Sequence, residues 1–211
     1  MAIRLNMNKT ERILFCGSKW WGDPDMPENM QYPTIEVIDE DGDKMDYPLT
    51  FICQINCEDL AKYDQEGKLP HEGMLYFFGA IDEYLGYESM AKNGAGEWPK
   101  GQFVVKYAKA INFETFQSCI LVDDDDQPLT EPEMEMTFSE CDDDATGLKL
   151  LGAAPCLVGS DKENQPYLNL LQLDENQEAG LNFNGVLNVM MKESDLKFGN
   201  WKKTIAYLST R

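Results

Sequence analysis

The chain has 211 residues, 43% of them apolar and 11% aromatic, which is enough for one folded domain with a substantial core and excludes a disordered chain. Its 38 acidic residues outnumber its 18 basic ones and give a net charge of −20. Such a charge excludes nucleic acids and anionic membranes as expected partners and favours a basic protein. Many of the acids lie between Asp123 and Asp144.

The first residues contain no apolar run of signal-peptide length, and no segment approaches the length of a membrane span. The six cysteines are scattered along the chain, and without an export signal they are expected to be reduced thiols. We therefore expect a cytoplasmic protein that makes no membrane contact.

Strand patterns dominate the chain. Arg12–Cys16 is an apolar run that ends at Gly17, and residues 34–39 and 47–56 flank an Asp-Gly turn signal, as in a hairpin. Further strands are predicted at residues 73–81, 102–108, 118–122, 133–138, 148–151, 167–173, 186–191 and 203–208. Short helices are predicted at residues 58–64 and 193–198. The fold class is therefore mostly β (α+β with few short helices), with largely antiparallel sheets.

One pattern occurs twice. Pro48 precedes Gln54 by six positions, and Pro166 precedes Gln172 by the same number. After each glutamine comes an apolar residue and then an asparagine or an aspartate. A glycine-led apolar strand follows both copies. The repetition predicts an internally duplicated, pseudo-twofold fold in a single domain, residues 1–211. The predicted parts are two repeat units at about 12–115 and 148–211 and an acidic connection at 123–147.

Gln54 and Gln172 are candidate ligand-binding residues. Their strands are largely apolar on both faces, so each amide is expected to be buried and to need hydrogen-bond partners. Two interpretations are open. Two equivalent amides near a pseudo-twofold axis frame a symmetric ligand pocket, or each amide satisfies backbone groups where a loop crosses its sheet.

Trp20 and Trp21 are the second pair of candidates. They stand beside Gly22 and Pro24 in a segment without a clear strand or helix pattern. The pair forms either an aromatic binding surface or a lid folded back onto the core.

No catalytic set is recognisable. His71 is the single histidine and precedes a predicted strand, where a solvated loop residue is expected. The Cys53-x3-Cys57 pair has no second pair or histidine cluster beside it, and the acids around Gly42 lack EF-hand spacing. We therefore assign no catalytic residue, no metal site and no cofactor.

The motifs resemble those of the bacterial YwqG-like family. Residues 17–27 (Gly-Ser-Lys-Trp-Trp-Gly-Asp-Pro-Asp-Met-Pro), the Pro-Leu-Thr-Phe-Ile-Cys-Gln-Ile segment and the Gly-Met-Leu-Tyr-Phe-Phe strand match the family's successive elements, and further matches lie in residues 151–198. Trp21 stands where the family has a glycine, and Met26 where it has a leucine. The resemblance implies a duplicated, β-rich fold and carries no biochemical activity.

These observations favour a non-catalytic binding protein whose acidic surface meets a basic partner, for example as an immunity-type inhibitor. Two alternatives stay open. One is a hydrolase that uses carboxylates in a cleft between the repeats. The other is a small-molecule binder at the repeat interface.

Overall fold

A computed structural model describes residues 1–38, 42–81, 95–123, 125–157, 162–163 and 165–210, with the backbone alone at residues 182–184. It is 45% strand and 8% helix, with a few short helices and one large curled antiparallel sheet, so the predicted fold class is confirmed. Within the described residues, no helix is long and apolar enough to cross a membrane.

The strands, in chain order, are β1 (Ala2–Asn8), β2 (Lys19–Trp20), β3 (Asp25–Pro27), β4 (Thr34–Ile38), β5 (Lys44–Pro48), β6 (Thr50–Asn56), β7 (Met74–Gly79), β8 (Gly96–Glu97), β9 (Phe103–Ala108), β10 (Phe116–Ser118), β11 (Met134–Cys141), β12 (Lys149–Leu150), β13 (Tyr167–Asn176), β14 (Leu181–Lys192) and β15 (Ile205–Thr210). The helix α1 covers Glu193–Lys197, and short 3-10 turns cover Cys57–Leu60, Pro155–Leu157 and Trp201–Lys203.

In the described part of the chain, eleven strands form one sheet in the order β8-β15-β14-β13-β12-β1-β11-β2-β6-β7-β9. At its centre β1 pairs with β11 along the whole length of β1, from Ala2 opposite Cys141 to Asn8 opposite Glu135. Each of these central strands also pairs with a short strand from the opposite part of the chain, β1 with β12 and β11 with β2. We call β1–β10 the first half and β11–β15 the second half.

The two halves share one register. In the first half Lys19 of β2 lies opposite Gln54 of β6, and in the second half Lys149 of β12 lies opposite Gln172 of β13. Beyond the glutamine strand, each half continues with another long antiparallel strand and then an outer strand. Internal duplication stays a prediction, and the shared register agrees with it.

Both glutamine strands also change register two residues before the glutamine. The shift lies between Phe51 and Cys53 in β6 and between Asn169 and Leu171 in β13. Strict alternation of side chains would place Ile52 on the face of Gln54, but Ile52 packs in the same core cluster as Cys53. The alternation is interrupted because a β-bulge inserts one residue and turns it to the other face.

Two segments differ most from the sequence predictions. Arg12–Cys16 is not a strand, because the chain turns there and Cys16 has a φ of +57°. Ala2–Asn8, for which no strand is predicted, is a central strand. The strand predicted at residues 133–138 is confirmed as β11, the other central strand. Asp41 of the Asp-Gly turn signal lies outside the described residues.

The buried side chains form two clusters on opposite faces of β7. Leu75 and Phe77 belong to the larger cluster, whereas Tyr76 and Phe78 belong to the smaller one. All six residues of β7 are buried, as its run of apolar residues predicts for a strand covered on both sides.

The two ends of the sheet are connected by a short segment. β8 ends at Glu97 and pairs with β15, and the next residue, Trp98, donates its N–H to the carbonyl of Ala206 at 2.9 Å. The chain enters β9, the last strand at the opposite end of the sheet, only five residues later. This short connection holds the edge of β9 close to the segment that precedes β15.

Candidate functional site

Gln54 lies in a buried hydrogen-bond network. Its Nε2 donates to the carbonyl of Gly17 at 2.9 Å and to Oδ2 of Asp25 at 2.8 Å. Its Oε1 accepts the backbone N–H of Asp25 at 2.8 Å. The amide therefore satisfies buried groups of residues 17–25, where this loop crosses β6.

The carboxylate of Asp25 is the centre of this network. Its Oδ2 accepts the N–H of Cys16 at 2.8 Å and the Nζ of Lys19 at 3.0 Å, and its Oδ1 accepts the hydroxyl of Ser118 at 2.6 Å. Lys19 also contacts Oε2 of Glu133 at 3.1 Å. Asp25 and Lys19 are both buried, so this is an ion pair with satisfied hydrogen bonds.

Gln172 lies in a separate network of the second half. Its Nε2 donates to the carbonyls of Gly147 at 2.9 Å and Ala145 at 3.3 Å, and its Oε1 accepts from Nδ2 of Asn188 at 3.5 Å. Its hydrogen-bond partners differ from those of Gln54, and four strands separate β13 from β6 in the sheet. The structure therefore does not bring the two amides together, and their role in ligand binding stays a prediction.

Trp20 and Trp21 lie side by side with their ring centroids 5.4 Å apart. Both indole N–H groups donate to one carbonyl, that of Ala179, at 3.0 and 2.9 Å. Trp20 is enclosed in the core, whereas Trp21 borders a cavity of about 250 Å³. Trp21 has a φ of +56°, which explains why a glycine suits this position in the YwqG-like pattern.

A second and larger cavity, of about 790 Å³, lies along β9. One wall is formed by residues 100–107 and the other by residues 199–204, and we call the cavity the edge groove. Its walls come from both predicted repeat units. None of the four candidate residues predicted from the sequence lines it.

Four lysines line the edge groove: Lys100, Lys106, Lys202 and Lys203. Among the described residues, no aspartate or glutamate lines it, although the chain carries a net charge of −20. Lys203 is paired with Asp195 at 2.9 Å, whereas Lys100 and Lys202 are exposed and make no ion pair within the described part of the chain. The groove is therefore a basic site on an acidic protein.

Lys106 is the most enclosed of these four residues. Its Nζ donates to the carbonyl of Gln31, and it is partly buried in the groove wall. Burial lowers the pKa of Lys106, and the charge of Lys202 nearby lowers it further. Both effects act against the charged form, so a bound anion would stabilise it.

The walls of the edge groove are aromatic and apolar. The rings of Tyr107 and Trp201 lie 5.2 Å apart, and Phe103 and Val105 supply buried apolar surface. Such walls bind the hydrocarbon part of a ligand, and the lysines bind its negative charge.

β9 also presents to the groove backbone groups that have no partner among the described residues. Ala80 donates its N–H to the carbonyl of Gln102, so these two residues form a hydrogen-bonded pair. Hydrogen-bonded pairs alternate along an antiparallel ladder, so every second residue of β9 from Val104 onward forms backbone hydrogen bonds with β7. The backbone groups of Phe103, Val105 and Tyr107 then face the open edge of the sheet. They offer a bound ligand further donors and acceptors.

The fold and the groove define a β-rich protein with one curled antiparallel sheet and a lysine-lined groove at the edge of that sheet. The chain belongs to the family described as "Domain of unknown function (DUF1963)", whose model matches residues 18–209. No curated protein matches the sequence.

Proposed function

We propose that the protein is a non-catalytic binding protein that takes an anionic, partly apolar ligand into the edge groove. The observation that carries the proposal is the gathering of four lysines around one apolar groove in a chain of charge −20. Like charges held close together are unfavourable unless an anion compensates them. An anion in the groove supplies this compensation.

Anilinonaphthalene sulfonate is a suitable probe because it joins a negative charge to an aromatic body and fluoresces on binding. We expect it to bind the native protein and to bind less tightly as salt concentration rises. Lys106→Met and Lys202→Met are each expected to weaken binding by about tenfold, as the loss of one charge-assisted contact predicts.

Lys9→Met is the matched control, because Lys9 is an exposed lysine outside the groove. It lowers the positive charge by the same amount and is expected to leave probe binding unchanged. If the double variant of Lys106 and Lys202 binds the probe as tightly as the Lys9 variant does, the proposal is wrong.

A second candidate function rests on the acidic surface. The exposed acids Asp142, Asp143 and Asp144 belong to the acid-rich stretch 123–147. They favour a basic protein as partner, for example the target of an immunity-type inhibitor. Replacing these three residues with asparagine is expected to slow association with a basic partner and to reduce its salt dependence. An unchanged association rate would contradict the candidate.

Two finer assignments are proposals as well. The motifs quoted above support a YwqG-like protein within the family, and six cysteines without a disulfide support a cytoplasmic location. Fractionation of cells that produce the tagged full chain tests the second assignment.

A further inference from the structure

The cavity beside Trp21 differs in chemistry from the edge groove. Its aromatic lining residues include Trp21, Tyr32 and Tyr47, and its charged lining residue is Glu131. Among the described residues, no lysine or arginine lines it. We call this cavity of about 250 Å³ the Trp21 pocket. Aromatic faces and a carboxylate both attract a cation.

The Trp21 wall is held in place from several sides. The backbone N–H of Trp21 donates to the carbonyl of Ile52 at 2.9 Å, and its indole N–H donates to the carbonyl of Ala179 at 2.9 Å. Gly180 lies so close to the ring that an added Cβ would be 3.2 Å from the indole nitrogen. The ring is therefore fixed before any ligand arrives, which lowers the entropic penalty of binding.

The backbone of Trp21 is strained to hold this ring. Its φ of +56° is unfavourable for a bulky residue, and glycine adopts the same angle without a steric penalty. Strain that the surrounding structure maintains is typical of binding and active sites. Here it places an indole where a glycine would leave the pocket without that wall.

Thr50 adds an unused acceptor. Its hydroxyl oxygen is buried and has no hydrogen-bond partner in the described part of the chain, and Thr50 lines the Trp21 pocket. A buried hydroxyl without a partner is unfavourable, so a ligand that brings an N–H donor into the pocket gains this interaction.

We propose that the Trp21 pocket binds an alkylammonium group, with its N–H donors toward Glu131 and Thr50 and its carbon chain between the aromatic rings. The group is either a free amine or the lysine side chain of a basic protein. In the second case the proposal rests on the basic-partner candidate and identifies the place where that partner binds. It is independent of the edge groove.

The first experiment compares n-butylammonium with butanol, which has the same carbon chain and no charge. Both are titrated into the native protein while the amide NMR signals of Trp21 and Thr50 are followed. We expect saturable shifts with n-butylammonium and at least tenfold weaker binding of butanol. Equal binding of the two compounds would show a merely apolar cavity and would overturn the proposal.

Glu131→Gln and Glu140→Gln form the matched pair of variants. Both side chains belong to exposed residues, and both changes remove one negative charge, but only Glu131 lines the pocket. We expect Glu131→Gln to weaken n-butylammonium binding by about tenfold and Glu140→Gln to leave it unchanged. Equal effects in the two variants would mean that net charge alone attracts the amine, against the proposal.

An acetylated and amidated Gly-Lys-Gly peptide distinguishes the two sources. If the peptide shifts the same two signals and competes with n-butylammonium, a lysine side chain fits the pocket. If only the free amine binds, a small amine is the ligand. The sulfonate probe and the Lys106 variant report on the edge groove separately, so failure at one site leaves the other result intact.

Discussion

Lys19 and Lys149 occupy the same register in the two halves but have different surroundings. Lys19 contacts the buried carboxylate of Asp25 at 3.0 Å and also Glu133 at 3.1 Å. Lys149 is equally buried, donates to the backbone carbonyl of Asp143, and makes no ion pair within the described residues. Burial lowers the pKa of Lys149.

The comparison separates two features of these positions: the pairing of the strands and the compensation of the lysine charge. Pairing of the short strand with the glutamine strand occurs in both halves, with or without a carboxylate beside the lysine. The carboxylate of Asp25 has a further task in the first half, because it binds Cys16 and Ser118 and thereby fixes the loop over β6. Charge compensation is therefore a property of that loop and not of the strand register.

The largest expected difference in stability is between variants that remove one or the other lysine charge. Lys19→Met leaves the Asp25 carboxylate buried without its cation, so we expect a loss of about 3–5 kcal/mol in the free energy of unfolding. Lys149→Met removes a buried charge that lacks a carboxylate partner and is expected to change stability by less than about 1 kcal/mol. Urea unfolding of both variants checks this, and equal losses would contradict the comparison.

The glutamines are expected to differ less. Gln54→Met takes one donor from a buried carboxylate and one acceptor from the N–H of Asp25, and we expect a loss of about 2–3 kcal/mol. Gln172→Met affects neutral backbone carbonyls and Asn188, and about 1 kcal/mol is expected. Urea unfolding of the two glutamine variants tests this order of stability losses. A larger loss for Gln172→Met than for Gln54→Met would contradict it.

Each half also contains one buried polar atom without a partner in the described chain, Thr50 Oγ1 and Asn188 Oδ1. Thr50→Val removes such an atom without breaking a hydrogen bond in the described chain, so we expect a gain of about 1 kcal/mol and a rise of about 2–4 °C in Tm. Asn188→Leu breaks its bonds to Asn169 and Gln172 and is expected to lower Tm. Calorimetry of the two variants measures both changes in Tm. A lower Tm for Thr50→Val would show that the Thr50 hydroxyl makes a stabilising hydrogen bond.

The smallest effect concerns alkaline pH. The pKa of Lys149 is lowered in the folded protein, so the folded state releases this proton at lower pH than the unfolded state does. Between the two pKa values the unfolded state binds more protons, and stability therefore rises with pH because of this residue. The stability difference between wild type and Lys149→Met should shift in favour of wild type as pH rises through this window. A difference independent of pH would contradict the prediction.

Much of the fold could be predicted from local patterns. The long apolar strands β6, β7, β13 and β14 were found because their periodicity and flanking turn residues are strong. β1 was missed although Ile3 and Leu5 alternate with Arg4 and Asn6, a pattern typical of a strand. The bulge in β6 was not predictable, because no local residue pattern marks a register shift that the pairing with β7 produces.

The candidate sites were only partly accessible from sequence. Trp21 is a candidate from its sequence context, and it borders a pocket. Glu131 and Thr50 line the same pocket from distant parts of the chain. No sequence pattern marks Lys106 and Lys202 as residues of one site. They share the edge groove because the curl of the sheet brings β9 near the segment before β15. A sequence shows which residues share a strand face, and it does not show which ends of a sheet meet.

The pairing of β1 with β11 has a consequence for the order of folding. Ala2 leaves the ribosome well before its partner Cys141, which is synthesised about 140 residues later. β12, the other neighbour of β1, is made later still. We therefore expect β1 to stay unpaired until β11 has been synthesised, so that the central sheet closes in a slow step dominated by long-range contacts. A nascent chain stalled before β11 should accordingly leave β1 open to proteases and chaperones.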